Sequence, residues 1–280
     1  MRIDKYLAES GFAPSRQKAK ELISGGFVLK NGCTVNKEST DVSEGDLIEI
    51  TGRPYPYVSR GGLKLAAAQK EFGIVFDGKT ACDVGASTGG FTDVMLRSGV
   101  ERVFAVDCGH GQLHPDIRSD PRVVNMESQN ARELDSSLIG CLCDIVVSDL
   151  SFISQILVFP AISSVLRDGG EFVSLIKPQF EAGKENVGKG GVVKDRRVHE
   201  LVIEKVISEA EKYGLFCEGL IRSPITGGDG NTEYLAYFVC DKSGMSKRRI
   251  DKALIKNVVG NIKDIAKGRV HEKQTTGSDT

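Results

Sequence analysis

The chain has no tryptophan, and only 8 prolines and 4 histidines among its 280 residues. Its seven cysteines are odd in number and scattered, Cys141 and Cys143 forming the one close pair, with no CxxC. Neither a zinc-ligand spacing nor a disulfide framework can be built from that set. Cys82, Cys143, Cys217 and Cys240 fall in apolar, strand-like runs, where a free cysteine packs as a small hydrophobe. A reduced, cytoplasmic, metal-free protein is the expectation. Long apolar runs are lacking too. The most apolar window, 144–166, is broken by Asp149, Gln155 and Pro160, which excludes an ordinary membrane span. Met1-Arg2-Ile3-Asp4-Lys5 carries no apolar run of the secretory kind. An excess of one charge is absent overall, the net value being −1, yet the charges are not spread evenly. From Lys242 onward ten basic residues face four acidic ones, whereas the preceding 241 residues hold 27 basic and 34 acidic.

With 40% hydrophobic residues, the length suits one large domain and one small one. Residues 1–52 have their own pattern. Ile3, Tyr6 and Leu7 recur at helical spacing until Ser10-Gly11. Ser15 then caps a second helix with Ala19, Leu22 and Ile23 on its buried face, ended by Gly25-Gly26. Asn31-Gly32 between two β-prone runs predicts a tight hairpin, and 45–50 adds a strand.

Two short helices followed by a small sheet, with the segments RIDKYLAESG, SRQKAKELI, GFVLKNG and VSEGDLIEI, resemble the S4-like RNA-binding domain, a small α+β unit. That resemblance implies that Arg16, Lys18, Lys20 and Lys30 dock on folded RNA, Arg60 joining them from the far side of the linker. The alternative for such charges is a solvated helix face.

Residues 53–60 form a linker kept extended by Pro54 and Pro56. Beyond it, strands at 80–84, 102–106, 122–125, 144–148, 171–176, 215–221 and 234–240 alternate with helices at 90–98, 154–166 and 195–213. Continuous apolar strands separated by helices predict an α/β domain over 61–241 with a buried parallel sheet, its last strand antiparallel. The basic tail, 242–280, reads as a loosely packed helix and a disordered end.

The sharpest motif runs from Asp83 to Phe91. It follows a strand and opens a helix, where open α/β sheets bind ligands. A dinucleotide fingerprint reads G-x-G-x-x-G and seats a pyrophosphate on the helix. Here the pattern is D-x-G-x-x-x-G-G. Its leading carboxylate repels a pyrophosphate and suits an ammonium group, which favours S-adenosyl-L-methionine over a nicotinamide dinucleotide. Asp83, Gly85, Ala86, Ser87, Thr88, Gly89, Gly90 and Phe91 are the candidate cofactor contacts. Asp107, ending the next strand, is a candidate partner for ribose hydroxyls, or a turn residue before Gly109. Asn130 either reads the adenine amino group or serves a turn.

Four further residues share a pattern: Lys64 after the linker, Asp149 and Lys177 at strand ends, and Glu233 before the last strand. A lysine directly after Phe-Val-Ser-Leu-Ile is not easily solvated, and charges at the mouth of a buried sheet are rarely left unpaired. Residues 58–241, through VSRGGLKL, DVGASTGGFTD, VDCGHGQLH, SDLSFIS, LIKPQFE and GNTEYL, resemble the FtsJ-like RNA ribose 2′-O-methyltransferases. Joined to an S4-like unit, the chain is identified as a member of the TlyA family. The resemblance gives a Rossmann-like methyltransferase domain with Lys64, Asp149, Lys177 and Glu233 as its catalytic tetrad, Asp149 also touching the cofactor. It implies methyl transfer to ribose 2′-hydroxyls of ribosomal RNA, on cytidines of one or both subunits, with Lys177 aligning the oxygen and helping to take its proton. The linker departs from the family, with Tyr-Pro-Tyr-Val where a tryptophan is usual. Two rivals stand beside this reading: a non-catalytic ribosome-assembly factor, and a membrane-active protein, since the family carries haemolysin names. For the latter, Ile250, Leu254, Val258 and Ile262 supply an apolar stripe among lysines.

Overall fold

A computed structural model describes residues 1–13, 15–245 and 250–260, which divide into two compact units, one ending at Pro56 and the other beginning at Tyr57. In the first unit, α1 (Ile3–Glu9) and α2 (Arg16–Ser24) pack on a three-stranded antiparallel sheet of β1 (Val28–Lys30), β2 (Cys33–Thr34) and β3 (Ile48–Ile50), ordered β2-β1-β3. Asn31 and Gly32 both take positive φ, 52° and 76°, the backbone that a two-residue hairpin turn requires. Ser15 caps α2 by accepting from Lys18 N. Ile3, Leu7, Ala19, Ile23, Val28 and Ile48 close a core of its own.

The second unit opens with α3 (Gly61–Phe72), then β4 (Thr80–Val84), α4 (Gly90–Arg97), β5 (Arg102–Asp107), α5 (Pro115–Arg118), β6 (Val123–Glu127), α6 (Ser136–Ile139) and β7 (Cys143–Ser148). It continues with α7 (Phe159–Val165), β8 (Leu166–Ile176), α8 (Pro178–Glu181), α9 (Arg196–Glu211), β9 (Leu215–Arg222), β10 (Tyr234–Cys240) and α10 (Lys252–Val259). Seven strands form one sheet, ordered β6-β5-β4-β7-β8-β10-β9, in which β10 runs antiparallel to both neighbours. Because alternate side chains point to opposite faces, two apolar layers result. One holds Val146, Phe172 and Phe238 with α7 and α9, and the other holds Ile145, Val173 and Leu235 with α3 and α4. Cys82, Cys143, Cys217 and Cys240 are all free and buried.

Four expectations change. Helix α3 was not anticipated, because its Gly-Gly-Leu-Lys-Leu-Ala-Ala-Ala sequence begins on two poor helix formers. The expected helix at 154–166 is a short 3₁₀ turn, Gln155–Val158, followed by α7, since Pro160 lies in the first turn of α7 and cannot continue a helix from before. Of the linker, Tyr57 and Val58 pack against the second unit's core, and Val58 N donates to Asp93. In the tail, Ile250, Ile255 and Val259 enter the core and Val258 packs against it, so of the expected stripe Leu254 alone among the described residues stays exposed. Ile262 and the expected disordered end lie outside the described residues. No helix among the described residues is long and apolar enough to cross a membrane.

Candidate active site

Strand β4 delivers Asp83 to its carboxyl end and then turns sharply into α4. Gly85 and Gly89 hold φ of 88° and 90°, values that favour glycine, and Ser87 also takes a positive φ of 48°. A Cβ on Gly85 would lie 2.7 Å from the Asp149 carbonyl oxygen, so the loop after β7 sits directly against this turn. Asp149 N donates to Val84 O at 3.1 Å and fixes that approach.

Asp83 is fully buried. Its Oδ2 accepts from Thr92 Oγ1 at 2.6 Å, and its Oδ1 has no partner. Burial pushes its carboxyl up to about 7, against the pull of the Thr92 hydrogen bond. Asp107 ends β5 with both oxygens turned to the loops, Oδ2 accepting from Ser87 N at 2.8 Å and Oδ1 from Gly109 N at 2.7 Å. Each oxygen keeps a second lone pair, so the turn-residue and ribose roles are compatible. The donor set fits S-adenosylmethionine: an orphaned buried carboxylate oxygen for a cation, a glycine turn and a strand-end carboxylate. Two candidates have contacts of another kind. The Phe91 ring is buried in the layer beneath α4 and supports the turn from behind. Asn130 caps a short 3₁₀ turn, its Oδ1 accepting from Arg132 N and its Nδ2 donating to Glu133. That is the turn role.

Lys64, Asp149, Lys177 and Glu233 come together. Lys64, the fourth residue of α3, donates to Glu233 Oε2 at 2.7 Å and lies 3.7 Å from Asp149 Oδ2. Asp149 Oδ1 in turn sits 2.5 Å from Lys177 Nζ, an ion pair whose angles fall short of a hydrogen bond. Lys177 Nζ also donates to Ser151 Oγ at 2.8 Å and lies 5.9 Å from the Phe180 ring centre. The result is one unbroken chain of alternating charge, Glu233–Lys64–Asp149–Lys177. Its lysines and Glu233 are buried, and Asp149 places it beside the glycine turn.

Phe152 was missed by sequence reasoning. It holds a φ of 64° and is 92% exposed, with its ring 5.2 Å from that of Phe180. A large apolar side chain in that backbone region is strained, and such strain gathers at functional sites. The only sequence signal was an aromatic residue three positions after Asp149. The two rings border a cavity of about 460 Å³ that Gln179 and Lys184 also line.

The FtsJ-like methyltransferase family matches residues 57–240, and the S4 domain matches residues 1–48. The chain belongs to the TlyA family of FtsJ-like methyltransferases. The 16S/23S rRNA (cytidine-2′-O)-methyltransferase TlyA of Mycobacterium tuberculosis is 43% identical over 237 residues, 84% of this chain and 88% of that protein. Hemolysin A of Brachyspira hyodysenteriae is 40% identical over 85% of this chain and 100% of its own length. A solved structure from Streptococcus thermophilus, also bearing a hemolysin name, aligns with a TM-score of 0.75 at 40% identity, covering 92% of this chain and 94% of that one.

The basic residues expected to meet RNA in this TlyA-family chain all hold internal partners. Arg16 binds the buried Asp4 at 2.6 Å and, together with Arg2, holds its carboxyl down at about 2. Lys18 pairs with Glu21 and donates to Tyr55, Lys20 pairs with Glu38, and Lys30 pairs with Asp46. Arg60 donates to the Thr226 carbonyl at 2.5 Å, tying the start of α3 to the loop before β10. Among the described residues no group of three or more His, Cys, Asp or Glu is placed to hold a metal ion.

Proposed function

We propose that this chain transfers a methyl group from S-adenosylmethionine to ribose 2′-hydroxyls of ribosomal RNA, on cytidines of one or both subunits. The observation that carries the reading is the ion-pair chain from Glu233 to Lys177 beside the glycine turn. A pure RNA-binding protein has no use for two buried lysines held by two carboxylates. Asp83, the 85–90 turn and Asp107 would hold the cofactor, which when bound supplies an electrophilic methyl group on a sulfonium leaving group.

The residues' own work is alignment and proton handling. Ser151 accepts one N–H of Lys177 and Asp149 lies against the same nitrogen as its counter-ion, which leaves a further Nζ direction for the ribose hydroxyl. Acting as the neutral amine, Lys177 accepts the hydroxyl proton on its own lone pair while a lone pair of the ribose oxygen is aimed at the methyl carbon, and Asp149 holds the ammonium that results. Glu233 and Asp149 fix Lys64, whose charge offsets both carboxylates. Phe152 and Phe180 offer faces on which the target base stacks, and stacking tolerates a ribose turned inward. Base–aromatic stacking is worth about 1–3 kcal/mol.

General acid–base groups of this kind contribute roughly 10²–10⁴-fold. Lys177→Ala should therefore lose methyl transfer to unmethylated ribosomal subunits by about that factor, while calorimetry shows S-adenosylmethionine binding unchanged. Full turnover in that variant would sink the assignment of Lys177. The absence of any 2′-O-methyl cytidine in subunits treated with the wild type, mapped by mass spectrometry, would sink the proposed substrate.

A further inference from the structure

A basic site lies beside the stretch of loop that carries Glu233. Lys194, Arg196, Arg197 and Lys256 line a cavity of about 800 Å³ together with Val192, Val193, Gly230 and Thr232. All four cations are exposed. None of them forms a side-chain ion pair among the described residues, unlike the basic residues of α2, which are engaged with Asp4, Glu21 and Glu38. Two carboxylates, Asp195 and Glu200, share the cavity, and Asp195 is occupied in capping α9 through Arg197 N. Four cations against two acids at one concave site repel one another, and an anionic ligand relieves that repulsion.

The cavity wall is also fastened to the catalytic strand. Asn231, wholly buried, accepts from Val193 N at 3.0 Å and donates to Gly191 O at 2.9 Å. The His199 ring, buried on α9, meets Val193 O and the Tyr234 hydroxyl, each at 3.0 Å. Thr232 lines the cavity, and the next residue, Glu233, binds Lys64. The wall and the tetrad are thus held to the same few residues, 231–234.

We infer that this cavity binds phosphates of the RNA strand that flanks the methylated nucleotide. The inference rests on the proposed substrate and adds where the strand's backbone is held. A phosphate-lined single strand is favoured over a small anion because the cations are spread along α9, the 192–194 wall and α10, not focused on one point. Each phosphate contact adds to the salt dependence of binding, by about 0.7 in the log–log slope for a single strand.

The test neutralises Lys194, Arg197 and Lys256 together (Lys194→Gln, Arg197→Gln, Lys256→Gln) in the full chain. A matched triple at Lys70, Lys205 and Lys212 controls for net charge. KM for unmethylated ribosomal subunits should rise about tenfold with kcat and cofactor affinity unchanged, and the salt slope for a plain single-stranded RNA should fall by about 2. Should the triple melt early, Lys256→Gln alone should still lower the slope by about 0.7. An unchanged KM and slope, an equal effect in the matched triple, or loss of binding only to anionic phospholipid vesicles would each overturn the inference. A wild type that methylates no ribosomal RNA overturns the proposed substrate instead, and the slope on plain RNA still decides whether this cavity binds phosphates.

Discussion

Asp83 shows how a single buried group couples cofactor, charge and stability. Its carboxyl is pushed up to about 7 because burial penalises the anion more than the Thr92 hydroxyl helps it. The folded state therefore keeps a proton that the unfolded chain has released above about 4. Stability falls as pH rises from that value through about 7, and the loss is complete above it. Asp83→Asn should flatten this trend, melting higher than the wild type at pH 8 and about equally near pH 4 in thermal scans. The wild type should bind S-adenosylmethionine more tightly in calorimetry as the carboxylate forms, and the same substitution should abolish that rise. A cofactor affinity independent of pH in the wild type would show that Asp83 does not face a cation. Phe152 makes a separate residue-scale case. Phe152→Ala should leave cofactor binding intact and raise KM for ribosomal subunits by roughly tenfold or more, the equivalent of one lost stacking contact. Melting should not drop, because a ring that is 92% exposed supports no core.

At the scale of elements, the N-terminus of α3 sets the position of Lys64. A Cβ on Gly62 would lie 2.5 Å from the Tyr57 ring, and one on Gly90 would lie 3.0 Å from Gly62 N, so α3 and α4 approach where glycines allow it. Gly62→Ala should cost about 1–3 kcal/mol by overpacking and should reduce methyl transfer by shifting Lys64 away from Glu233. Adding Tyr57→Ala should restore part of both, a coupling that a double-mutant cycle measures directly. This helix also marks the limit of what could be read from the chain. Strands were legible because a sheet buried on both faces needs unbroken apolar runs, and the expected strand at 80–84 coincides with β4. Asp149 and Lys177 stood out because charged residues at strand ends lack an easy solvated explanation, and the resemblance to the FtsJ-like methyltransferases joined Lys64 and Glu233 to them. Helix α3 was not, since its small residues carry weak periodicity and its packing depends on distant partners. Phe152 was not, because nothing local announces a left-handed phenylalanine. The internal pairing of Arg16, Lys20 and Lys30 was hidden as well, since Asp4, Glu38 and Asp46 are brought to them by the fold.

For the whole molecule, the decisive feature is that the S4 unit closes its own core. Ile3, Leu7, Ala19, Ile23, Val28 and Ile48 pack with one another, and the two apolar layers of the methyltransferase unit draw only on residues from Tyr57 onward. Burial of apolar surface is the main favourable term in folding, and the second unit's layers supply that term from its own residues. A chain beginning at Tyr57 should therefore unfold cooperatively and bind S-adenosylmethionine as the full chain does. Its methyl transfer should still suffer. Two binding modules on one chain raise avidity by about 10²–10⁴ when both engage the same partner, and the catalytic unit alone loses that factor. The expected readout is a KM for ribosomal subunits raised by roughly 10² or more, with kcat at saturating subunits little changed. A truncated chain with an unaltered KM would show that the S4 unit adds no affinity for RNA. A truncated chain whose kcat collapses while its cofactor affinity holds would show that this unit helps to assemble the site itself.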